Sequence, residues 1–347
     1  SYLSLTSYKD NTSAILNLIM DMLLNSTFPE DELKSKKEQI VNSIISLQDD
    51  SSYLAERIFK SVHYKDTPYE HDPDGYVESL RKITTDDLKE FSAKYYNSES
   101  IIIAVVGDFD NDKTLQALEN GFGNVPKPAN SEKYDFNKKD NGKGFVYLKD
   151  MDDASQTSLY IGHSGIKRNN DDYINVTFLN TLLGGSFTSR INKNLREKNG
   201  LTYGARTSFN TKMYSGDFTI ESEINTDKTG FAIDEILKEL NDIRENFVSD
   251  EEMDNAKNYI TGNYPLQLET SNAVSGKLMT MELYGFDKSY YDTYLSKVNT
   301  ITKENVRDTA RKYINPDNLK YIAVGNLNKL EQQCKKFGTI EVINKIK

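Results

Sequence analysis

The chain of 347 residues repeats itself: Ile83–Gly107 overlays Ile301–Gly325 without a gap, an offset of 218. Ile83-Thr84 meets Ile301-Thr302, Lys94-Tyr95 meets Lys312-Tyr313, Asn97 meets Asn315, and Val106-Gly107 meets Val324-Gly325. A repeat of this size means two versions of one supersecondary unit, so a fold proposed for one half must be offered to the other. Both versions read as capped helix, polar turn and apolar strand. Thr84 and Thr302 are N-cap residues with acids in the following turn, while Ile101–Val106 and Tyr321–Val324 are β-branched or aromatic runs ended by Gly.

The match extends upstream. Ala14-Ile15 meets Ala232-Ile233 at the same offset, and the helix opening at Pro29 meets the one at Ser249 at an offset of 220, so a small insertion separates the registers. Each copy then contains an alternating strand (Tyr2–Ser7; Asp217–Ile224), two helices and the helix-strand unit. The expected organisation is a first copy over 1–126, a polar connection over 127–143 entered at Pro126, and a second, complete copy over 144–347 that begins at a strand, Gly144–Leu148. About 75 residues of the second copy, from 145 to 219, hold two or three strands and a helix and have no counterpart in the first. The first copy is therefore expected to lack those elements, and an uncovered half-sheet is an aggregation hazard unless something fills the space. The fold class is α+β, a tandem duplication of an antiparallel sheet with helices.

Length suits two domains, each able to bury a core. A net charge of −10 argues against nucleic acid or an anionic membrane as the main partner, because the summed field repels both. The single cysteine, Cys334, has no partner for an internal disulfide, and no run reaches the 18 or so apolar residues of a membrane span. A cytoplasmic location is the default and an exported one stays open. The sequence opens at Ser1 without a leader pattern, so the native start is expected to lie elsewhere.

The densest functional pattern is Leu183-Gly184-Gly185-Ser186-Phe187-Thr188-Ser189-Arg190, followed by Leu195-Arg196-Glu197-Lys198-Asn199-Gly200-Leu201-Thr202-Tyr203. These segments resemble the LGG-x-F-x-SR loop and LRE-x-x-GL-x-Y signature of the C-terminal domain in the insulinase/pitrilysin family, which includes mitochondrial processing peptidase. The resemblance continues through His71-Asp72-Pro73-Asp74-Gly75 and Val105–Phe109, and it implies the duplicated metallohydrolase fold of that family. It further implies that Arg196 and Tyr203 contact substrate near the scissile bond, with Gly184, Gly185, Ser186 and Phe187 forming a substrate loop. A guanidinium and a phenol can each donate to a carbonyl that becomes an oxyanion, worth about 2.7–4 kcal/mol of barrier per donor. From the residues alone, a solvated helix-end Arg, a half-buried Tyr anchor and a plain Gly-Gly turn remain open alternatives.

The family's zinc motif has no match. His63, His71 and His163 are far apart in sequence, and none has a partner at helical spacing. Where the family places its third ligand, a Glu on the helix spanning Pro29–Asp49, the preferred alignment gives this chain Ser43; a shifted register would offer Glu38, and no acid lies between Gln39 and Gln48. No P-loop, nucleophile elbow or Cys-x-x-Cys pair is present either. Cys334 reads as incidental, the run Tyr284–Tyr294 as a helix packed on the core, and the acids Asp49-Asp50 and Asp250-Glu251-Glu252 as solvated helix ends.

The expected role is a non-catalytic, substrate-binding subunit of a heteromeric zinc metallopeptidase, inactive alone, with no metal or cofactor in this chain. Zinc would come from a homologous partner, and the substrate would be an extended peptide or unfolded polypeptide bound by strand addition to a sheet edge. Two alternatives stand beside it: a fragment of a self-sufficient zinc endopeptidase whose zinc motif lies outside this sequence, and a purely structural or assembly protein of the same fold.

Overall fold

A computed structural model describes residues 1–123, 125–128, 136 and 144–344. Most of the expected connection, 129–135 and 137–143, lies outside the described residues. The helices follow the repeat closely. In the first copy they are α1 (Thr12–Leu24), α2 (Glu30–Ser46), α3 (Ser51–His63), α4 (Thr85–Tyr95) and α5 (Asn111–Phe122). The second copy has α6 (Tyr173–Asn180), α7 (Thr229–Glu245), α8 (Asp250–Leu266), α9 (Ser271–Tyr284), α10 (Lys303–Tyr313) and α11 (Leu327–Cys334). α4 and α10 are both 11 residues long at the offset of 218, and α2 and α8 are both 17 residues long at 220. Both expected caps form: Thr84 exchanges hydrogen bonds with Asp87, and Thr302 with Asn305, so each helix start has two of its free N–H groups satisfied.

The sheet belongs to the second copy. Its strands are β1 (Phe145–Asp150), β2 (Gln156–Ser164), β3 (Ala205–Thr211), β4 (Gly216–Asn225), β5 (Lys320–Gly325) and β6 (Thr339–Val342), in the order β3-β4-β2-β5-β1-β6. Pairing is antiparallel from β3 to β5, while β1 joins β5 and β6 in parallel. Strand alternation sorts the side chains onto two faces. Val146, Leu148, Leu159, Ile161, Tyr321 and Ala323 face a large core with α6, α7 and α10, whereas Tyr147, Tyr160, Ile322 and Val324 meet Leu54, Ala55, Ile58 and Phe59 of α3.

That last packing crosses the repeat. α3 is encoded in the first copy, yet it covers the second copy's sheet. The compact units are accordingly assembled from pieces: 1–43, 76–135 and 264–287 in one, and 44–75, 136–263 and 288–347 in the other. In the second unit, the Tyr64 hydroxyl that follows α3 donates to buried Asp217 of β4, which also accepts from Lys212 Nζ at 2.9 Å and Asn210 Nδ2 at 2.7 Å. Burial, with the Asp217 charge beside it, pushes the Tyr64 phenol well above its ordinary range, so it stays a donor at any physiological pH.

Several local expectations are corrected. Tyr2–Ser7 and Ile101–Val106 form no strand among the described residues, because a β-run forms a ladder only where a neighbour presents its edge. The tyrosine-rich run is not one helix: α9 ends at Tyr284, a short turn of helix follows at Ser289–Asp292, and Tyr294 alone of the run packs against the large core. Cys334 is buried in that core, where desolvation pushes its thiol up to about 12 and leaves it unreactive.

Candidate functional site

The two sequence motifs fold into two π-helical turns, Thr181–Gly185 and Lys193–Lys198, with the loop 186–189 and one turn of helix between them. Gly184 and Gly185 are not needed for a positive φ; they are needed for close approach. A Cβ on Gly184 would lie 2.5 Å from Thr207 Cγ2 and Oγ1 and 2.6 Å from the Thr207 nitrogen, and one on Gly185 would lie 2.7 Å from Asn180 Nδ2. The first π turn thus presses directly onto edge strand β3. Gly184→Ala should lower stability by about 1–3 kcal/mol through overpacking against the β3 backbone. Chemical denaturation would check it, and an unchanged midpoint would contradict the packing argument.

Two amides fasten the loop. Buried Asn192 accepts the Ala205 N–H at 3.1 Å and donates to the Phe187 carbonyl at 2.6 Å, while Asn180 donates to the Thr207 carbonyl at 3.1 Å and accepts from the Thr207 hydroxyl at 2.8 Å. The Ala205 N–H and the Thr207 carbonyl are therefore already paired, which leaves this half of the β3 edge fewer groups to offer an added strand. Arg190, with its side chain 13% exposed, forks onto Glu252 (2.5 and 3.0 Å) and reaches Asp242 at 2.6 Å. Burial alone would raise the Glu252 carboxyl, but hydrogen bonds from Arg190 and the Ser249 backbone outweigh it and hold the group below the usual carboxylate range. Glu252 is consequently no solvated helix end, whereas Asp50 is one, an exposed N-cap of α3 that accepts the Tyr53 N–H.

The spacing of the second motif has a mechanical origin. Leu195 and Leu201 are both core residues, Gly200 takes φ +59 to turn the chain, and the Leu201 N–H closes the turn on the Leu195 carbonyl at 2.8 Å. With both leucines pulled inward, Arg196 and Tyr203 stay outside. The Arg196 guanidinium lies 4.4 Å from the Phe187 ring centroid, a cation–π distance, and it is half-buried rather than a solvated helix end. Tyr203 is 92% exposed, so it is not a half-buried anchor.

Gly184, Gly185, Ser186, Phe187 and Tyr203 line one concavity of about 770 Å³, and Arg196 joins it through Phe187. The opposite wall comes from α3, β2 and β4 and carries Glu56, Glu221 and Glu223, which were not singled out in the sequence. Burial raises the Glu221 carboxyl, and the neighbouring Glu56 charge adds to the effect. The available signal was β-alternation: Glu221 and Glu223 sit two apart on one strand and so share a face.

The histidines are elsewhere and apart. His63 is buried and stacks on Phe59 with centroids 4.8 Å apart; His163 is buried on β2, with Nδ1 2.8 Å from the Ser164 carbonyl and Nε2 accepting the Asn315 N–H at 3.1 Å. Ser43 is exposed on α2, and no group of three or more His, Cys, Asp or Glu among the described residues is placed to hold a metal. The residues present do not fit a zinc centre.

Residues 82–260 match the family model described as the peptidase M16 inactive domain. The chain belongs to the peptidase M16 family. That is the insulinase-type relationship its LGG and LRE motifs resemble, and the match spans both motifs and the concavity's β3 and β4. Among curated relatives, the chain is 25% identical over 333 residues to the non-peptidase homolog YmxG of Helicobacter pylori, covering 94% of this chain and 75% of that one. It is 24% identical over 311 residues to the uncharacterized zinc protease YmxG of Bacillus subtilis (89% and 74%), and 30% identical over 257 residues to an uncharacterized zinc protease of Rickettsia felis (73% and 60%). The chain thus spans about three quarters of the first two relatives and less than two thirds of the third. A solved peptidase M16 inactive domain from Pseudomonas fluorescens superposes with a TM-score of 0.85 at 26% identity, covering 91% of this chain and 76% of that one. A chain of complex III₂ from Candida albicans shares the fold, with a TM-score of 0.78 at 16% identity, covering 96% and 82%. Among the described residues no helix is long and apolar enough to cross a membrane.

Proposed function

We propose that this M16 chain is the substrate-holding subunit of a two-chain peptidase, binding extended polypeptide while a homologous partner supplies zinc. The observation that carries the reading is that the glycine loop, Phe187 and Tyr203 line one concavity, with Arg196 lying against Phe187. A floor with a half-buried Arg196 and an exposed Tyr203 at its rim suits holding a peptide carbonyl. Arg196 offers a planar fork of donors and Tyr203 a phenolic O–H, both held by backbone that the core leucines and the two asparagines fix. The peptide lies across the concavity rather than along the start of β3, where the Ala205 N–H and the Thr207 carbonyl are engaged. The description of the matched family as an inactive domain, and the poor fit of these residues to zinc, agree with this division of labour.

The test is reconstitution. The purified chain should release no fragments from an unfolded polypeptide, and adding an M16 subunit that carries His-x-x-Glu-His should give hydrolysis well above that of the partner alone. Cleavage by this chain alone that is lost with a chelator, or a mixture no faster than the partner, would sink the proposal.

A further inference from the structure

We propose that Asn199 is a modification site: it deamidates spontaneously to aspartyl and isoaspartyl products, at a rate set by the opening of the turn that carries Arg196. Asn199 precedes Gly200 inside the second motif. A glycine in the following position leaves its backbone nitrogen without a Cβ to screen it, so that nitrogen can reach the asparagine's side-chain carbon. Gly200 is exposed, with φ +59, and Asn199 is half-buried. In the reaction the Gly200 nitrogen loses its proton and attacks Asn199 Cγ. The N–Cγ bond forms, the Cγ–Nδ2 bond breaks, and ammonia leaves. Water then opens the cyclic imide at either carbonyl, which returns a normal aspartyl link or an isoaspartyl link that runs through the side chain.

The folded turn restrains both reacting groups. The Gly200 N–H donates to the Arg196 carbonyl at 3.2 Å, while the Asn199 N–H donates to the Asn194 carbonyl at 3.1 Å and the Leu201 N–H to that of Leu195 at 2.8 Å. The Asn199 amide is pinned as well: Nδ2 donates to the Asn194 carbonyl at 3.0 Å and to Asn194 Oδ1 at 2.7 Å. Attack therefore waits for the turn to open, and the stability of the turn sets how much of the time it is open.

The product cannot restore these bonds. Asn194 is buried, and its Nδ2 donates to Glu235 at 2.9 Å and to Glu239 at 2.6 Å while its Oδ1 accepts from Asn199. A carboxylate at position 199 has no proton to give, so the Asn194 carbonyl and Oδ1 both lose their donor and face a charge. Turning the Asn194 amide over to donate to that carboxylate would aim its oxygen at Glu235 and Glu239 instead. The isoaspartyl product also adds a main-chain carbon inside the closure from Leu195 to Leu201. Either product loosens the turn between the two leucines that keep Arg196 and Tyr203 outside. What that does to peptide holding rests on the proposed function, whereas the modification itself does not.

The experiment ages the full chain at neutral pH, folded and in urea. Conversion at each asparagine is read by mass spectrometry of proteolytic peptides, with isoaspartyl methyltransferase labelling of the product. Asn141-Gly142, which lies outside the described residues, is the reference pair in urea. In urea Asn199 and Asn141 should convert at similar rates. In the folded chain Asn199 should lag its own urea rate by on the order of 10-fold or more, and Asn194→Ala should recover most of that difference. Urea below the unfolding transition gives a second reading on the parent chain, which stands even if the Asn194→Ala chain does not fold: conversion at Asn199 should rise in step with amide exchange at Gly200 and Leu201. The product is tested through Asn199→Asp, in which the Leu201 amide should exchange on the order of 10-fold faster while that of Ile322 in the sheet keeps its rate. Folded conversion as fast as in urea, no conversion at Asn199 in urea where Asn141 converts, or an unchanged Leu201 amide in Asn199→Asp overturns the proposal. None of these readouts needs a partner chain, so they hold or fail independently of the peptidase reading.

Discussion

Replacing Arg196 by Ala should lower turnover of the reconstituted two-chain peptidase by on the order of 10²–10³, with association unchanged. The reasoning starts from charge. As the scissile carbonyl is attacked, negative charge develops on its oxygen, and a donor that meets that oxygen in the transition state contributes far more than one that only binds substrate. Arg196 rests on Phe187 at 4.4 Å, so its guanidinium is kept at the rim of the concavity, and no acid of the concavity's wall is paired with it among the ion pairs of the described residues. Tyr203→Phe keeps the ring and removes only the O–H, so it should reduce turnover in the same direction while leaving the surface shape intact. Neither side chain holds the core, which Leu195 and Leu201 do. Steady-state kinetics of the mixed complex, with association followed by sedimentation, would check both. Losses below about twofold would mean that neither group meets the developing charge, and the assembly-protein alternative would gain.

The second large effect concerns Arg190. Arg190→Ala should destabilise the unit that holds the second copy's sheet by about 1–3 kcal/mol, because it removes a charge-assisted fork from two partly exposed carboxylates, Asp242 and Glu252. Replacing Arg190 and Glu252 together by apolar residues of similar volume should cost much less, since no uncompensated charge remains. The pairing also sets an acid limb. The Glu252 carboxyl is held below its ordinary value, so its contribution is complete above the unfolded pKa of about 4.3 and is lost as pH falls through the lower folded value. Glu252→Gln should be less stable than the parent at pH 7 and should show a shallower decline below about pH 4. Urea melts at pH 7 and pH 3 would check this, and parallel curves for the two proteins would contradict it.

Much of this architecture was legible in the sequence because it rests on local chemistry that recurs. Thr84 and Thr302 announce the same helix start, and α4 and α10 obey the offset to the residue. The motif that carries Arg196 and Tyr203 was legible as well, though not the reason for its spacing, which lies in the two inward leucines and Gly200. What escaped was chosen by partners distant in sequence. An apolar stripe such as Leu54, Ile58 and Phe59 says that a helix will be covered, not which sheet will cover it, and α3 took the sheet of the other copy. Glu252 looked like one of three surface acids until Arg190, 62 residues away, came to meet it. Tyr2–Ser7 has the alternation of a strand, but alternation cannot supply the neighbour that a ladder requires.

The crossing of α3 also has a consequence during synthesis. The helix is complete by His63, whereas β5, on which it rests, begins at Lys320. At roughly 5–20 residues per second, the ribosome needs on the order of 10–50 s to deliver that strand after finishing the helix. Throughout that interval Leu54, Ile58 and Phe59 wait without their final surface, which makes the nascent first half a natural client for chaperones. It also makes the completed unit depend on a contact that only the whole chain can form.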